Sequence, residues 1–173
     1  MTNSFFKKFV SKKQGFTRHN AGFTLIEILV VIGIIAILAA VVIIAINPGR
    51  QFAQARNSQR LSNVNSLLNA IGQNIADNKG VFTCSGTPMY FTGTAATISK
   101  SATDLRRCIV PTYISEIGVD PITGSNTCVD TAGTGDCATG SYTTGYTIAT
   151  TTSGRYVVAA PNSELEVPTS VSR

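Results

Sequence analysis

Charged residues are scarce in this sequence: they make up 13% of its 173 residues, about half the share of an average soluble domain. The shortage has a local cause, because the 24 residues from Phe23 to Ile46 contain a single charged residue, Glu27. As a helix rising about 1.5 Å per residue, this run would reach about 36 Å and could cross a hydrocarbon core of about 30 Å. Residues 23–46 therefore predict a membrane-spanning helix.

Acidic residues are absent before Glu27, whereas five basic residues precede the span. They are Lys7, Lys8, Lys12, Lys13 and Arg18. Without these five, nine basic residues balance nine acidic ones, so the net charge of +5 reflects the flank and gives little support for nucleic-acid binding, which stays undetermined. The positive-inside rule places the flank in the cytoplasm and the bulk of the chain outside a membrane that it crosses once.

Histidine, the commonest general base, is almost missing. The one histidine, His19, lies in the basic flank, so the chain beyond the flank has none. The sequence contains no Gly-rich phosphate loop and no nucleophile motif, and its many Ser and Thr residues have no evident activating partner. These observations predict a protein that is not an enzyme and that needs no cofactor.

Cysteines at the close spacing of a zinc site are also absent. The four cysteines follow C-x23-C and C-x8-C spacings, unlike the C-x2-4-C pairs of zinc sites. All four follow the span, on the side predicted to be outside, which favours disulfides over a four-thiolate metal site. Three pairings are open, and we predict the one that closes the shortest loops, Cys84–Cys108 with Cys128–Cys137.

Four segments follow from these patterns: a basic leader (1–22), the span (23–46), a second, amphipathic half of the helix (47–79) and a globular, β-rich head (80–173). Where the second half begins, Asn47 could cap a new helix with Pro48 in its first turn. If the helix were continuous, Pro48 would instead kink it. Both alternatives are open, and "NKG" at Asn78–Gly80 is expected to end the helix.

Apolar residues recur at 3,4,3,4 spacing in the second half of the helix. They are Leu61, Val64, Leu68, Ile71 and Ile75. This stripe predicts a face that packs on the sheet of the head, with an intersubunit seam as the alternative. Arg56 and Arg60, four residues apart, share another face, which we interpret as solvated. The alternative is contact with an acidic neighbouring head.

Beyond Gly80 the composition shifts to Thr, Gly and Ser, and eleven of the 32 residues from Thr123 to Gly154 are Thr. We predict a short helix over Thr103–Cys108. Two strands, Tyr146–Thr150 and Arg155–Ala160, are predicted to form an antiparallel hairpin.

Three acidic residues of the head lie in Gly-rich or turn segments: Asp120, Asp130 and Asp136. Together with backbone carbonyls they are weak candidates for calcium ligands. Their spacing matches no defined calcium-loop motif.

The stretch "GFTLIEILVVIGIIAILAAVVI" resembles the processing site and N-terminal helix of the type IV pilin family, which includes pseudopilins. The match combines Gly22, then Phe23, then Glu27 at the fifth place of the mature chain, then some twenty apolar residues behind a basic leader. Weaker resemblance extends through "NPGRQFAQARNSQR" and "YISEIGVDP".

The resemblance implies an α+β fold, in which a long N-terminal α-helix, half membrane-spanning and half amphipathic, packs on a small antiparallel β-sheet head. It further implies that a prepilin peptidase cleaves between Gly22 and Phe23 and methylates the new Phe23 amine. Pilus assembly machinery would then draw the subunit from the membrane into a homopolymer, an extracellular pilus for adhesion, motility or DNA uptake. One alternative is a pseudopilin of type II secretion or competence, and another is a membrane-tethered adhesin that does not polymerise.

Glu27 has two interpretations. Thr24 and Glu27 fit the S/T-x-x-E capping box, in which the two residues satisfy each other's backbone N–H groups. Alternatively, Glu27 pairs with the Phe23 ammonium of a neighbouring subunit and sets the axial register of a helix bundle, since acids within apolar spans are functional candidates. The resemblance favours the register interpretation, and the two roles are compatible.

Overall fold

The computed structural model describes residues 22–165 and 168–173, and these described residues divide into two compact units between Ala45 and Ile46. Helix α1 spans Leu25–Ile46, and none of its residues is buried. A helix that is apolar on every side is typical of a membrane span. In the described part of the chain, α1 alone has the length and composition to cross a bilayer.

Helix α2, Pro48–Asp77, begins after a single non-helical residue, Asn47. Asn47 is left-handed, with φ 47°, and its Oδ1 accepts a hydrogen bond from the Arg50 backbone N–H at 3.4 Å. Pro48 occupies the first turn, where its missing N–H costs nothing. The structure therefore has a new helix capped by Asn47, and not one continuous helix kinked at Pro48.

The C-terminus of α2 follows the "NKG" prediction. Lys79 and Gly80 both have positive φ, 58° and 93°, and the Gly80 N–H donates to the Ile75 carbonyl at 2.8 Å. This six-to-one hydrogen bond satisfies a carbonyl that the last helical turn would otherwise leave open.

The described part of the head contains seven strands and one short helix. They are β1 Thr83–Cys84, β2 Thr87–Pro88, β3 Ala96–Ser99, α3 Arg106–Ile109, β4 Ser125–Asn126, β5 Tyr142–Thr150, β6 Tyr156–Ala160 and β7 Thr169–Ser172. Strands β1 and β2 form a ribbon of their own, and the other five form an antiparallel sheet in the order β3-β5-β6-β7, with β4 also paired to β5. Together with the N-terminal helices this is the expected α+β, pilin-like class of fold.

The predicted hairpin is confirmed as β5 and β6, with Ile148 opposite Val158. Strand β5 begins at Tyr142, four residues earlier than predicted, because the alternation of buried and half-buried side chains extends upstream through Thr144. The predicted helix over Thr103–Cys108 is wrong in its bounds, since α3 covers Arg106–Ile109.

The core lies between the apolar face of α2 and the sheet, where α2 packs on β6 and β7. Val64, Leu68 and Ile71 are buried as predicted. Leu61, by contrast, is 46% exposed, while Leu67, outside the predicted stripe, is fully buried. The face is therefore centred nearer Leu67, and at about 100° per residue Leu61 falls at its margin.

Both sequence-local disulfides are present. Cys84 of β1 is joined to Cys108 of α3, and both are buried in the core. The second bridge, Cys128–Cys137, closes a loop between β4 and β5. The short ribbon and the Thr-rich loop, which have little apolar surface of their own, are thereby attached to the rest of the head.

Candidate functional site

The bond predicted to be cleaved lies just before α1. Gly22 and Phe23 precede the first helical residue and are both exposed, Phe23 by 78%. A Cβ added to Gly22 would meet nothing within 4 Å, so no other part of the described chain covers this bond. The remainder of the predicted leader, residues 1–21, lies outside the described residues.

Thr24 and Glu27 form the capping box at the start of α1. The Thr24 N–H donates to Glu27 Oε2 at 3.4 Å, and the Glu27 N–H donates to Thr24 Oγ1 at 3.3 Å. This reciprocal pair gives the Thr24 N–H an acceptor and gives a second one to the Glu27 N–H, which also donates to the Thr24 carbonyl at 3.1 Å. Phe23 is still linked to Gly22 in this chain and has no ammonium, so the intersubunit pairing of Glu27 stays a prediction.

A second site, between α2 and the head, is centred on Arg60. Its Nε lies 2.6 Å from Asp120 Oδ2, and neither side chain is exposed to solvent. Its Nη1 lies 3.0 Å from Glu164 Oε1, and Arg56 Nη2 lies 2.6 Å from Glu164 Oε2. The solvated interpretation is therefore wrong for Arg60, and Arg56, whose side chain is 34% exposed, pairs within its own chain.

The sequence contains one indication that Arg60 is buried. It precedes Val64 by four residues, which places it on the apolar face of α2 rather than opposite it. A charge on a buried face requires a partner. The partners, Asp120 and Glu164, lie 60 and 104 residues further along the chain, beyond the reach of a periodicity argument.

The carboxylates of this cluster stay ionised. Burial raises the pKa of Asp120, but hydrogen bonds from the Arg60 guanidinium and from the N–H groups of Thr123 and Ile122 outweigh it and lower the pKa to about 2. Hydrogen bonds from Arg56 and then Arg60 lower the pKa of Glu164 to about 2. At neutral pH the cluster therefore holds two cations and two anions.

The three calcium candidates lie in different surroundings. Asp120 is bound by Arg60. Asp130 Oδ2 accepts the Gly135 N–H at 2.6 Å, which folds its own loop, and Asp136 is exposed. Within residues 22–165 and 168–173, no cluster of three or more His, Cys, Asp or Glu residues is arranged to hold a metal ion. Calcium binding stays a prediction, and Asp120 already pairs with the Arg60 guanidinium.

The loop closed by Cys128–Cys137 is anchored by two basic residues. Lys100 Nζ donates to the carbonyls of Cys137 at 2.9 Å and Gly140 at 3.0 Å. Arg106 donates to the Gly135 carbonyl at 2.7 Å and pairs with Glu116 at 2.7 Å. Basic side chains of the head therefore hold loop carbonyls as well as carboxylates.

A family model described as the prokaryotic N-terminal methylation motif matches residues 18–43. The matched stretch contains Gly22, Phe23, Glu27 and most of α1, and it ends before the head. Comparison with curated proteins and with solved structures gives no match.

The motif supports a prepilin of the type IV pilin or pseudopilin type and implies processing by prepilin peptidase and handling by pilus assembly machinery. It suggests a structural subunit rather than an enzyme. A prepilin processing motif followed by an apolar helix also fits anchoring of the subunit in the membrane before assembly.

Proposed function

We propose that this chain is a type IV pilin-like structural subunit, cleaved after Gly22, methylated at Phe23 and polymerised through α1 into an extracellular filament that serves adhesion, motility or DNA uptake. The observation that carries the proposal is the methylation motif over residues 18–43, placed on a helix with no buried side chain and followed by a folded head. A pseudopilin of a secretion or competence system would share these features.

The exposed surface of α1 supports polymerisation. Its large apolar side chains are each between 47% and 83% exposed, and burying apolar surface contributes about 25 cal/mol per Å². In the membrane, lipid covers these side chains. In a filament, the α1 helices of other copies take the place of lipid, so a subunit can leave the bilayer without exposing α1 to water.

Cleavage changes what Glu27 can bind. Before cleavage, its carboxylate has a local partner in Thr24. Afterwards, Phe23 carries an ammonium, and the ammonium of a neighbouring copy offers Glu27 an opposite charge. Since contacts between aliphatic helices allow sliding, this charge pair sets the axial register of the filament.

Two variants separate the two roles of Glu27. Glu27→Gln keeps the capping box, because Gln also serves at that position, and removes the charge. Thr24→Ala removes the hydroxyl of the box and keeps the charge. Each variant is expressed with an intact assembly system. Sheared filaments are examined by electron microscopy, and the N-terminus of their subunit is determined by mass spectrometry.

We expect Glu27→Gln to lower the filament yield by about tenfold or more, since a register contact worth about 1.4 kcal/mol already gives that factor. Cleaved, methylated subunit should remain in the membrane at normal abundance, and Thr24→Ala should form filaments. Normal filament yield from Glu27→Gln would refute the register role. Absence of filaments from the unchanged chain would refute the proposed function and favour a tethered adhesin.

A further inference from the structure

The capping box fixes the residue at which α1 begins. The Thr24 carbonyl accepts the N–H groups of Glu27 at 3.1 Å and Ile28 at 3.3 Å. The helix itself starts at the next residue, Leu25. Thr24 is therefore the N-cap, the residue whose carbonyl joins the helix while its own backbone stays outside. Its hydroxyl accepts the Glu27 N–H and donates to the Glu27 carboxylate, each at 3.3 Å.

The bond between Gly22 and Phe23 lies one residue upstream of this cap. Both residues are outside the helix and exposed, and neither carbonyl accepts a backbone hydrogen bond from any residue that the structure describes. If α1 began one turn earlier, the Gly22 carbonyl would accept the Ile26 N–H, and the bond would be part of the first helical turn. The position of the cap therefore leaves the backbone beside this bond without a helical partner.

A peptidase requires this arrangement of its substrate. Bonds in exposed, irregular chain are the ones cleaved, whereas a bond inside a helix is reached only through local opening of that helix. An enzyme cleft that binds an extended segment pairs with its free N–H and C=O groups. The methylation motif over residues 18–43 spans this bond and implies its processing. The non-helical segment thus coincides with the segment that a peptidase must bind.

Two features oppose extension of α1 toward the leader. Once a helix has formed, each added residue contributes a hydrogen bond, so a helix without a cap tends to grow at its end. Gly22 opposes this growth, because glycine loses more backbone freedom than other residues when it becomes helical. A Cβ added there would meet nothing within 4 Å, so no described neighbour requires the missing side chain. Thr24 is the second feature, and it stands between α1 and the bond.

We propose that Thr24 is a positioning residue for processing of this chain. Through the box with Glu27 it starts α1 after the Gly22–Phe23 bond and so presents that bond to prepilin peptidase as extended chain. The reaction adds water across the bond and leaves a carboxylate on Gly22 and an amine on Phe23. Thr24 takes no part in that chemistry and raises the fraction of precursor whose bond can enter the peptidase. The inference rests on the proposed function, because it requires that this bond is cleaved.

A change in that fraction has a defined kinetic signature. When only part of a protein population is competent to bind, the apparent dissociation constant rises by the inverse of the competent fraction. The bound complex is unaffected, so loss of the cap should raise KM and leave kcat unchanged. A hydroxyl that the peptidase contacted only in the transition state would instead lower kcat when removed.

Three variants of Thr24 separate the cap from the shape of the side chain. Thr24→Val keeps the branched shape but removes the hydroxyl, so it cannot cap the helix. Thr24→Ser is the matched control, because Ser caps at least as well as Thr but lacks the methyl group. Thr24→Asn caps with an amide in place of the hydroxyl. A requirement for the cap therefore groups Ser and Asn with Thr, whereas a requirement for the shape groups Val with Thr.

The full-length precursor of each variant is purified in detergent from cells without the peptidase and is incubated with membranes that contain prepilin peptidase. Initial rates over a range of precursor concentrations give kcat and KM, and mass spectrometry identifies the cleaved bond. Nuclear magnetic resonance of the uncleaved precursor gives the Cα chemical shifts of Gly22 and Phe23. These shifts report whether the two residues are helical, with no contribution from the peptidase.

We expect Thr24→Val to raise KM by about fivefold, within the range that loss of an N-cap gives, and to leave kcat within about twofold. Thr24→Ser and Thr24→Asn should stay within about twofold of the unchanged chain in both constants. The Cα shifts of Gly22 and Phe23 should move toward helical values in Thr24→Val alone. Given time, Thr24→Val is cleaved completely, because a raised KM slows processing at low precursor concentration without preventing it.

Each outcome gives a decision. Unchanged KM in Thr24→Val, with normal cleavage of the unchanged chain, would overturn the positioning role and leave the proposed function standing. A fall in kcat at constant KM, or Cα shifts that do not move, would show that the hydroxyl acts by another route and would also overturn it. An unchanged chain that the peptidase does not cleave would overturn the proposed function and the positioning role together.

Discussion

Replacing Arg60 by methionine should destabilise the head more than any other single charge removal. The substitution keeps much of the buried length of the side chain but leaves Asp120, which is 1% exposed, without its cation. Removing one partner of a buried pair typically costs about 3–5 kcal/mol. For a unit covering residues 46–173, that cost corresponds to a fall in Tm of roughly 10–20 °C.

The measurement is thermal unfolding of the full chain in detergent, followed by near-ultraviolet circular dichroism. Tyr146 is a suitable reporter because it is fully buried and its hydroxyl lies 3.0 Å from Asn63 Nδ2, one turn along α2 from Arg60. Arg56→Met is the matched control. Its ion pair is partly exposed, and such pairs contribute little to stability because solvent screens them.

A double variant isolates the cause. Arg60→Met combined with Asp120→Asn removes the unpaired charge and keeps an oxygen that can accept from the Ile122 and Thr123 N–H groups, so it should recover part of the lost stability, because the cost of breaking a buried ion pair comes mainly from the charge left unpaired. A fall of less than about 1 kcal/mol in Arg60→Met, or equal losses in Arg60→Met and Arg56→Met, would refute the buried-pair argument.

Three further predictions concern other parts of the chain. Gly22→Val should leave an uncleaved precursor of higher mass, because a side chain would hinder the approach of a peptidase to the bond; a normal-sized subunit on a mass spectrum would contradict this. Replacing Cys84 and Cys108 together by alanine should cost about 3 kcal/mol in denaturant unfolding, as expected for a loop of this length, and an unchanged midpoint would count against the bridge. The stability contributed by ionised Asp120, whose pKa is depressed to about 2, should be fully present above pH ~4 and should be lost as the pH falls from ~4 through ~2; in acid titrations the stability difference between the unchanged chain and Asp120→Asn should be constant above that window and should shrink only within it.

The predictions that succeeded depend on short-range patterns. The span needs only a run of apolar residues, the α2 terminus needs only "NKG", and the box at Thr24 needs a partner three residues away. The disulfide pairing rested on loop length, so residues close in sequence were sufficient for it. In each case the interacting groups lie within 24 residues of each other in the sequence.

The misses depend on long-range contacts. The partners of Arg60 come from two loops far along the chain, and no spacing rule indicates them. Strand β7 has only four residues, and Val171 is the only apolar one, so no strand pattern marks it in the sequence; in the structure it pairs with β6 and packs on α2. Leu61 was misassigned because periodicity finds a face of the helix but not the centre of that face.

The packing of α2 on the last two strands has a consequence for the order of folding during synthesis. Domains emerge from the ribosome N-terminus first, so α2 is made long before β6 and β7, the strands that cover it. Until Tyr156 and the residues after it have been made, Val64 and Ile71 lack the two strands that pack most extensively on α2. In the nascent chain the apolar face of α2 is therefore exposed. A product truncated before β6 should be bound by chaperones or degraded by proteases rather than form a partly folded head.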